Sequence, residues 1–353
     1  MKRYVVWFTD PGATERSLVG GKVAGLAEML RYQVRVPPGF AVTSQAYEGF
    51  VEESGLQSEI NRLLERLDTR TPEQVEAAGA QLRGLLMEEA LPSTVARQID
   101  TAYHALAEQV GVQDPPVAVR SSSTAEDTEA ASFAGEYESY LWVRGLEAVR
   151  QCVRACWASL FTARAIVYRA ERGIPHREAR MAVAVQKMVR ARTGGVMFTL
   201  NPLSGDPSRI AIEASWGLGS AVVGGEVTPD QFAVDKVTMA VLERRISRKT
   251  LQHLPRPGGG VLPAPVPDEL QATPCLTDQE VLELARLGKL LERYYGHPQD
   301  LEWAVDADLP FPDNIFLVQC RPETVWSRRD ARPIFDPQKG VLDWMVETLR
   351  KGR

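Results

Sequence analysis

The stretch Gly296–Pro322, GHPQDLEWAVDADLPFPDNIFLVQCRP, most narrows what this chain can fold into. Two runs of alternating character, Asp300 to Asp306 and Asn314 to Arg321, flank a turn-rich segment of prolines and aspartates, the pattern of an antiparallel hairpin. Successive side chains on a strand point to opposite faces. Asp300, Glu302 and Ala304 therefore share one face, and Leu317, Gln319 and Arg321 share one face of the partner. With Glu302 opposite Gln319, Asp300 falls opposite Arg321 and the loop is roughly eight residues long, ordinary for a hairpin. Two carboxylates, an amide and a guanidinium then converge. A carboxylate and an amide oxygen suit Mg²⁺, which takes one or two protein oxygens and completes its octahedron with water and phosphate. The guanidinium supplies a planar fork for phosphate oxygens. A surface hairpin with a cross-strand ion pair fits the same residues, so the rest of the chain has to decide.

Any phosphate ligand must be held by a local cluster, because the 353 residues carry a formal net charge of −5 and a general affinity for nucleic acid needs a basic surface. A hydrophobic fraction of 44% and a charged fraction of 25% describe an ordinary globular protein, long enough for two or more packed units. No apolar run approaches a membrane span, and MKRYVVWFTD turns polar too soon for a signal peptide. A cytoplasmic protein without nucleic-acid or membrane partners is expected. Cys152, Cys156, Cys275 and Cys320 match neither a zinc site nor a disulfide framework. The first two lie four apart in a helical run and read as buried thiols.

Tyr4 to Phe8 reads as a first strand. VGGKVAGLAEML then sets Gly20 and Gly21 before Lys22 at a helix start, where backbone N–H groups and the helix dipole favour an anion. The P-loop pattern fails, since Arg16 and Val23 stand where it needs glycine and Ser/Thr, and a solvated lysine is the alternative. VPPGFAVTS leads into a short strand. Four helical patterns follow near 45–54, 56–67, 73–90 and 93–110, the third with an apolar stripe at Val75, Ala78, Leu82, Leu85 and Leu86, and they read as scaffold.

VAVRSSSTAEDTEAASFAGEYESYLWV changes character sharply. A strand ending in Arg120 opens into small and hydroxyl residues, closing with Ser132, Phe133, Ala134 and Gly135 before a second strand. Such a loop can fold over a polyphosphate and donate backbone N–H groups. An exposed mobile loop is the alternative reading. Residues 145–171 read as one long helix. Strands at 181–189, 195–200, 209–215 and 231–236, with a helix near 277–295, describe an antiparallel sheet in an α+β domain. WGLGSAV has Val222 where a dinucleotide fingerprint needs its third glycine. Residues 254–274, rich in Pro and Gly, read as an irregular excursion.

Taken together, VGGKVAGLAEML, VPPGFAVTS, VAVRSSSTAEDTEAASFAGEYESY, QKMV with GGVMFTLNP, and PQDLEWAVD with LVQCRPET resemble, in order, the ATP-binding domain of phosphoenolpyruvate synthase and pyruvate phosphate dikinase. Rifampin phosphotransferase and phenylphosphate synthase belong to the same group. The resemblance spans about residues 4–326 and implies an α+β ATP-grasp fold, with nucleotide between two subdomains and a helical insertion in the N-terminal lobe. It divides the chain into a subdomain at 1–180, a second at 181–326, and a linker with a C-terminal helix at 327–353. It implies ATP and Mg²⁺ as cofactors. Lys22 and Arg120 would contact phosphates, and Ser132 to Gly135 would close over them. Gln186, Lys187, Met188 and Val189 would present backbone groups to adenine, with Glu213 near the ribose. Glu302 and Gln319 would hold Mg²⁺, and Arg321 would neutralise charge on the transferring group, which suits phosphoryl transfer because that chemistry rests on positioning and charge neutralisation.

One departure qualifies the resemblance. The family passes phosphate through a histidine in a context like TxxGGxxxHxAxxxR, and none of His104, His176, His253 and His297 has those neighbours. The expectation is an ATP-binding subunit that phosphorylates a histidine on a separate phosphocarrier subunit, giving AMP and phosphate. The final acceptor would be a small molecule reached through that subunit, a phenol if the likeness is to phenylphosphate synthase. A self-contained ATP-grasp kinase or ligase, or the ATP-binding part of a phosphoenolpyruvate synthase or rifampin phosphotransferase-like system, is the alternative. A nucleotide sensor without turnover would not need so complete a charge-neutralising set. The helical stripe Val341, Leu342, Met345 and Leu349 is suited either to docking a partner or to packing on its own domain.

Overall fold

The computed structural model describes residues 2–65, 67–124 and 138–326. Ser132 to Gly135 and the expected C-terminal linker and helix lie outside the described residues.

The first half builds one antiparallel sheet with helices on both faces. In chain order it comprises β1 (Val5–Trp7), α1 (Arg16–Arg31), β2 (Gly39–Val42), α2 (Ser44–Glu53), α3 (Leu56–Glu65), α4 (Pro72–Glu88), α5 (Ser93–Val110), β3 (Val117–Ser123), β4 (Ser139–Val143), α6 (Leu146–Ala158), α7 (Ala163–Glu171) and β5 (Met181–Lys187). The strand order is β1-β2-β5-β3-β4. Alternation sorts the faces. Val117, Val119, Val183 and Val185 point into a core with the helices α2 to α6, while Val6, Phe8, Ala41 and Ala184 point into a second core with α1. The expected single helix over 145–171 is broken by a 3-10 turn at Ser159–Phe161. There Thr162 restarts the chain as α7 by accepting a hydrogen bond from Ala165 N–H at 3.3 Å, the service a helix N-cap performs.

The second half adds β6 (Ala191–Phe198), β7 (Arg209–Trp216), α8 (Ser220–Val223), β8 (Asp230–Asp235), β9 (Val241–Arg245), β10 (Leu251–Pro255), β11 (Val261–Pro265), α9 (Asp268–Gln271), α10 (Asp278–Tyr295), β12 (Gln299–Asp306) and β13 (Ile315–Pro322). Six of these strands form a sheet in the order β13-β12-β6-β7-β8-β9, and every pairing in it is antiparallel. Met197, Ile210, Ile212, Phe232, Leu301 and Trp303 face the α10 side. The chain changes sheet between Lys187 and Ala191, later than the division expected at 181, because the apolar run from Met181 pairs with both β2 and β3 at the centre of the first sheet. The mixed helix and sheet content is that of an α+β protein.

Residues 254–274 are more regular than their composition suggests. Leu251 to Pro255 pairs antiparallel with Val261 to Pro265 as a two-stranded hairpin tied to the loop after β7 by one bridge at His253, where prolines are tolerated because few outer ladder bonds are needed. Gly259 and Gly260 make the turn with φ of 103° and 81°, a region closed to most side chains.

A capping box fixes the start of α10. Thr277 Oγ1 accepts from Glu280 N–H at 3.3 Å while Glu280 Oε2 accepts from Thr277 N–H at 2.9 Å. Thr277→Ala should lower stability by about 1 kcal/mol, read as a shift of the urea midpoint with an unchanged slope. An unmoved midpoint would show that the cap contributes nothing.

Candidate active site between the two sheets

The hairpin at 296–322 forms in the expected register, with Glu302 opposite Gln319 and Asp300 opposite Arg321. One expectation about its faces fails. The register shifts after Glu302, so that Trp303 pairs with Leu317 and Ala304 with Phe316, leaving Val318 as the extra residue of a bulge. Leu317 consequently points into the core with Ile315 and Cys320, and it does not share the face of Gln319. Bulges re-aim side chains in this way beside functional sites. Here the bulge lets one strand bury leucine and still present an amide.

Glu302 belongs to a row running across the sheet. Its ladder partners are Gln319 and Val196, Val196 pairs with Glu213, and Glu213 pairs with Gln231. The face opposite the α10 core therefore carries two carboxylates two strands apart. Glu213 Oε1 accepts from Gln231 Nε2 at 3.1 Å, which holds it within the row.

The facing wall comes from β3 and β5, where alternation again fixes the display. Ala118, Arg120 and Ser122 share one face of β3, and Gln186 pairs with Ala118. Arg120 crosses to the second sheet. Its Nη2 donates to Glu302 Oε2 at 3.1 Å and also to Gln319 Oε1, and its Nη1 donates to the Val318 carbonyl at 3.2 Å. The two oxygens thus meet at one cationic nitrogen, in surroundings where Arg120 is only 14% exposed. The guanidinium of Arg120 and the carboxylate of Glu302 neutralise each other across the cleft.

Between the walls lies a cavity of about 200 Å³. One end is polar, with Arg120, Gln186 and Glu302; the other is apolar, with Leu141, Met188, Ala191 and Leu218. Ala118, Trp142, Met188 and Leu218 form a separate small core at the apolar end, against which Leu141, Ala191 and Val261 pack. Within the strand Gln186 to Val189, the Lys187 and Met188 N–H groups donate to the Pro38 and Pro116 carbonyls, both at 2.9 Å. Side-chain Gln186 Nε2 and Arg120 Nε are buried and find no partner among the described residues, and each belongs to a residue lining the cavity.

Lys22 comes from α1, which packs on the same face of the first sheet as Arg120, since Ser122 Oγ donates to the Val19 carbonyl and accepts from Val23 N–H. α1 contains a break at Gly20, whose φ is 74°, and a Cβ there would lie 2.1 Å from the Ser122 carbonyl. Only glycine permits that approach. Lys22 follows on the next turn and donates to the Ser121 carbonyl at 2.9 Å, beside Arg120 but not in the wall of the cavity. Arg321 is held by Asp300, with Nε and Nη2 at 2.8 and 2.6 Å from Oδ2. Burial pushes the Asp300 carboxyl upward in pKa, with Arg321 acting in the opposite direction. Among the described residues no group of three or more His, Cys, Asp or Glu side chains is arranged for a metal.

Sequence reasoning named Met188 but missed the rest of the apolar end, because Ala118, Leu141 and Leu218 come from three separate segments. It also missed the loop at Gly217 to Ser220, whose signal was present in GG at 194–195. A Cβ on Gly194 would lie 2.5 Å from Gly219 N, so the glycine allows the loop to lie directly on β6. Of the four histidines, His176 is held beside Arg169 and lowered to about 4 by burial and that cation.

The sequence pattern described as "Pyruvate phosphate dikinase, AMP/ATP-binding domain" matches residues 16–340. A probable phosphoenolpyruvate synthase of Staphylothermus marinus is 45% identical over 353 aligned residues, covering 94% of this chain and 42% of that protein. The phosphoenolpyruvate synthases of Aeropyrum pernix and Pyrococcus furiosus are 43% and 38% identical, covering 94% and 91% of this chain and 44% of each relative. The chain thus spans less than half the length of these relatives. No helix among the described residues is long and apolar enough to cross a membrane. Because the match runs through both sheets and includes the residues that meet between them, the chain belongs to the family of the pyruvate phosphate dikinase AMP/ATP-binding domain.

Proposed function

We propose that this chain binds Mg²⁺·ATP between its two sheets, in an ATP-grasp arrangement, and passes the β,γ-pyrophosphoryl group to a histidine on a phosphocarrier within a phosphoenolpyruvate-synthase-like system, with AMP leaving and the γ-phosphate then lost to water. The observation that carries the reading is Arg120, rooted in one sheet and bonded to Glu302 and Gln319 of the other. A guanidinium, a carboxylate and an amide oxygen at one point, with buried N–H groups of Arg120 and Gln186 open to a further acceptor, suit a polyphosphate carrying its cation.

The apolar end fits a base. Arg120 orients the phosphates, Lys22 adds charge from α1 on the same face of the sheet, and Arg321, steadied by Asp300, neutralises charge on the transferring group. Glu302 and Gln319 would hold Mg²⁺, which when bound shields the phosphate oxygens from one another. Gln186 to Val189 would read the adenine edge through carbonyl oxygens and the Gln186 amide, since the Lys187 and Met188 N–H groups already serve the sheet. Glu213 would sit toward the ribose. The names of the relatives favour phosphoenolpyruvate as the end product over a phenyl phosphate. The carrier histidine belongs to a phosphocarrier module other than these two sheets, in a cytoplasmic system.

The test is to incubate the chain with Mg²⁺ and β-labelled ATP, with and without a histidine-bearing partner purified from the same source. Carrier-dependent release of AMP, with label on the partner, is the expected result. ADP formed by the chain alone would replace this reading with a direct kinase or ligase.

A further inference from the structure

Ser220 lines the apolar half of the cavity, beside Leu218 and Gly219. Its Oγ lies 2.8 Å from His253 Nδ1, and His253 Nε2 lies 3.3 Å from Glu226 Oε2. The carboxylate sets the direction of this chain. An ionised carboxylate only accepts, so Nε2 carries the proton; in a neutral imidazole Nδ1 then accepts, and Ser220 is the donor. With its single proton committed to His253, Ser220 Oγ offers the cleft lone pairs alone.

The hairpin β10–β11 holds the relay in place. The His253 carbonyl accepts from Leu218 N–H at 3.0 Å, and at the hairpin turn Gly260 N–H donates to the Trp142 carbonyl at 3.0 Å. Val261 packs on the apolar cluster. The hairpin therefore spans from the loop after β7, in the second sheet, to β4 in the first. His253 is 12% exposed and Glu226 48%, so the imidazole is sheltered while the carboxylate that polarises it stays hydrated.

We propose that Ser220, polarised by His253 and Glu226, is a specificity-determining acceptor for a hydrogen-bond donor on the nucleoside of bound ATP, either the amino group of the base or a ribose hydroxyl. This rests on the reading of the cleft as a nucleotide site. His253 acts as the positioning residue, since it both orients the hydroxyl and anchors the hairpin. A serine free of this relay would donate or accept with equal ease and would discriminate little.

The experiment is calorimetric titration of the full chain, with Mg²⁺ and at about pH 8, above the ordinary titration of an imidazole. The titrants are ATP, inosine triphosphate, 2′-deoxy-ATP and 3′-deoxy-ATP. One of the three analogues should bind roughly tenfold more weakly than ATP, the value of one hydrogen bond, and the analogue that does so identifies the donor. Ser220→Ala and His253→Ala should each erase that one gap. His253→Gln should restore it, because its carbonyl accepts from Ser220 and its amide N–H donates to Glu226. A Ser220→Ala variant that weakens all four nucleotides equally, or none, overturns the assignment while leaving the nucleotide reading intact. Failure of the unaltered chain to bind any of the four removes both.

Discussion

Glu302→Gln is expected to lower AMP-forming turnover at least about a hundredfold, the scale on which single charge-stabilising groups act in enzyme sites. Thermal stability should barely move. The amide keeps an acceptor for Arg120 Nη2, and Gln319 and the Val318 carbonyl still hold that guanidinium. What disappears is the negative charge that balances Arg120 and that a divalent cation requires. ATP binding should accordingly lose most of its dependence on Mg²⁺, measurable by titration at fixed nucleotide. Unaltered turnover together with unaltered Mg²⁺ dependence would remove Glu302 from the site.

The largest effect on stability should come from Lys249. Its side chain and that of Asp230 are both fully buried, with Nζ 2.6 Å from Oδ1. Asp230 also accepts from Ser247 N–H at 2.9 Å and from Cys275 N–H at 3.0 Å, so one carboxylate ties β8 to two later segments. Lys249→Met fills a similar volume but leaves the carboxylate buried without its counter-charge. A loss of about 3–5 kcal/mol follows, to be read by chemical denaturation. Asp230→Asn with Lys249→Met should recover part of it, because the neutral amide oxygen can still accept from the backbone. A single-variant loss below about 1 kcal/mol would mean that water reaches the site.

The hairpin at 296–322 was legible because alternation and loop length act locally. Both determine which side chains meet without reference to the rest of the molecule, and the Glu302–Gln319 and Asp300–Arg321 pairings came out as expected. The bulge at Val318 was not legible, since it depends on Leu317 finding a place in a core built from distant segments. Arg120 and Lys22 were legible as candidates from their strand-end and glycine contexts. Their partners were not, because the Arg120 bridge spans 182 residues to Glu302 and only tertiary packing brings them together. The Ser220–His253–Glu226 chain left no mark at all, being made of three ordinary residues at irregular spacing. The β10–β11 hairpin was obscured by its own prolines, which argue against a strand inside a sheet but not in a two-stranded pair with a single outer bridge.

The joining of α1 to both halves bears on how the molecule is made. Gly25 leaves room for only 3.0 Å between a Cβ and the Cys320 carbonyl, Glu28 receives the Tyr295 hydroxyl across 267 residues, and Leu317 N–H donates to the Arg35 carbonyl. On the ribosome, the Tyr295 side of the surface that covers α1 emerges 267 residues after Glu28. At ordinary rates of synthesis that interval is on the order of tens of seconds. Throughout it Val23, Leu26 and Met29, all buried in the finished core, must be covered by the first sheet, by non-native contacts or by a chaperone.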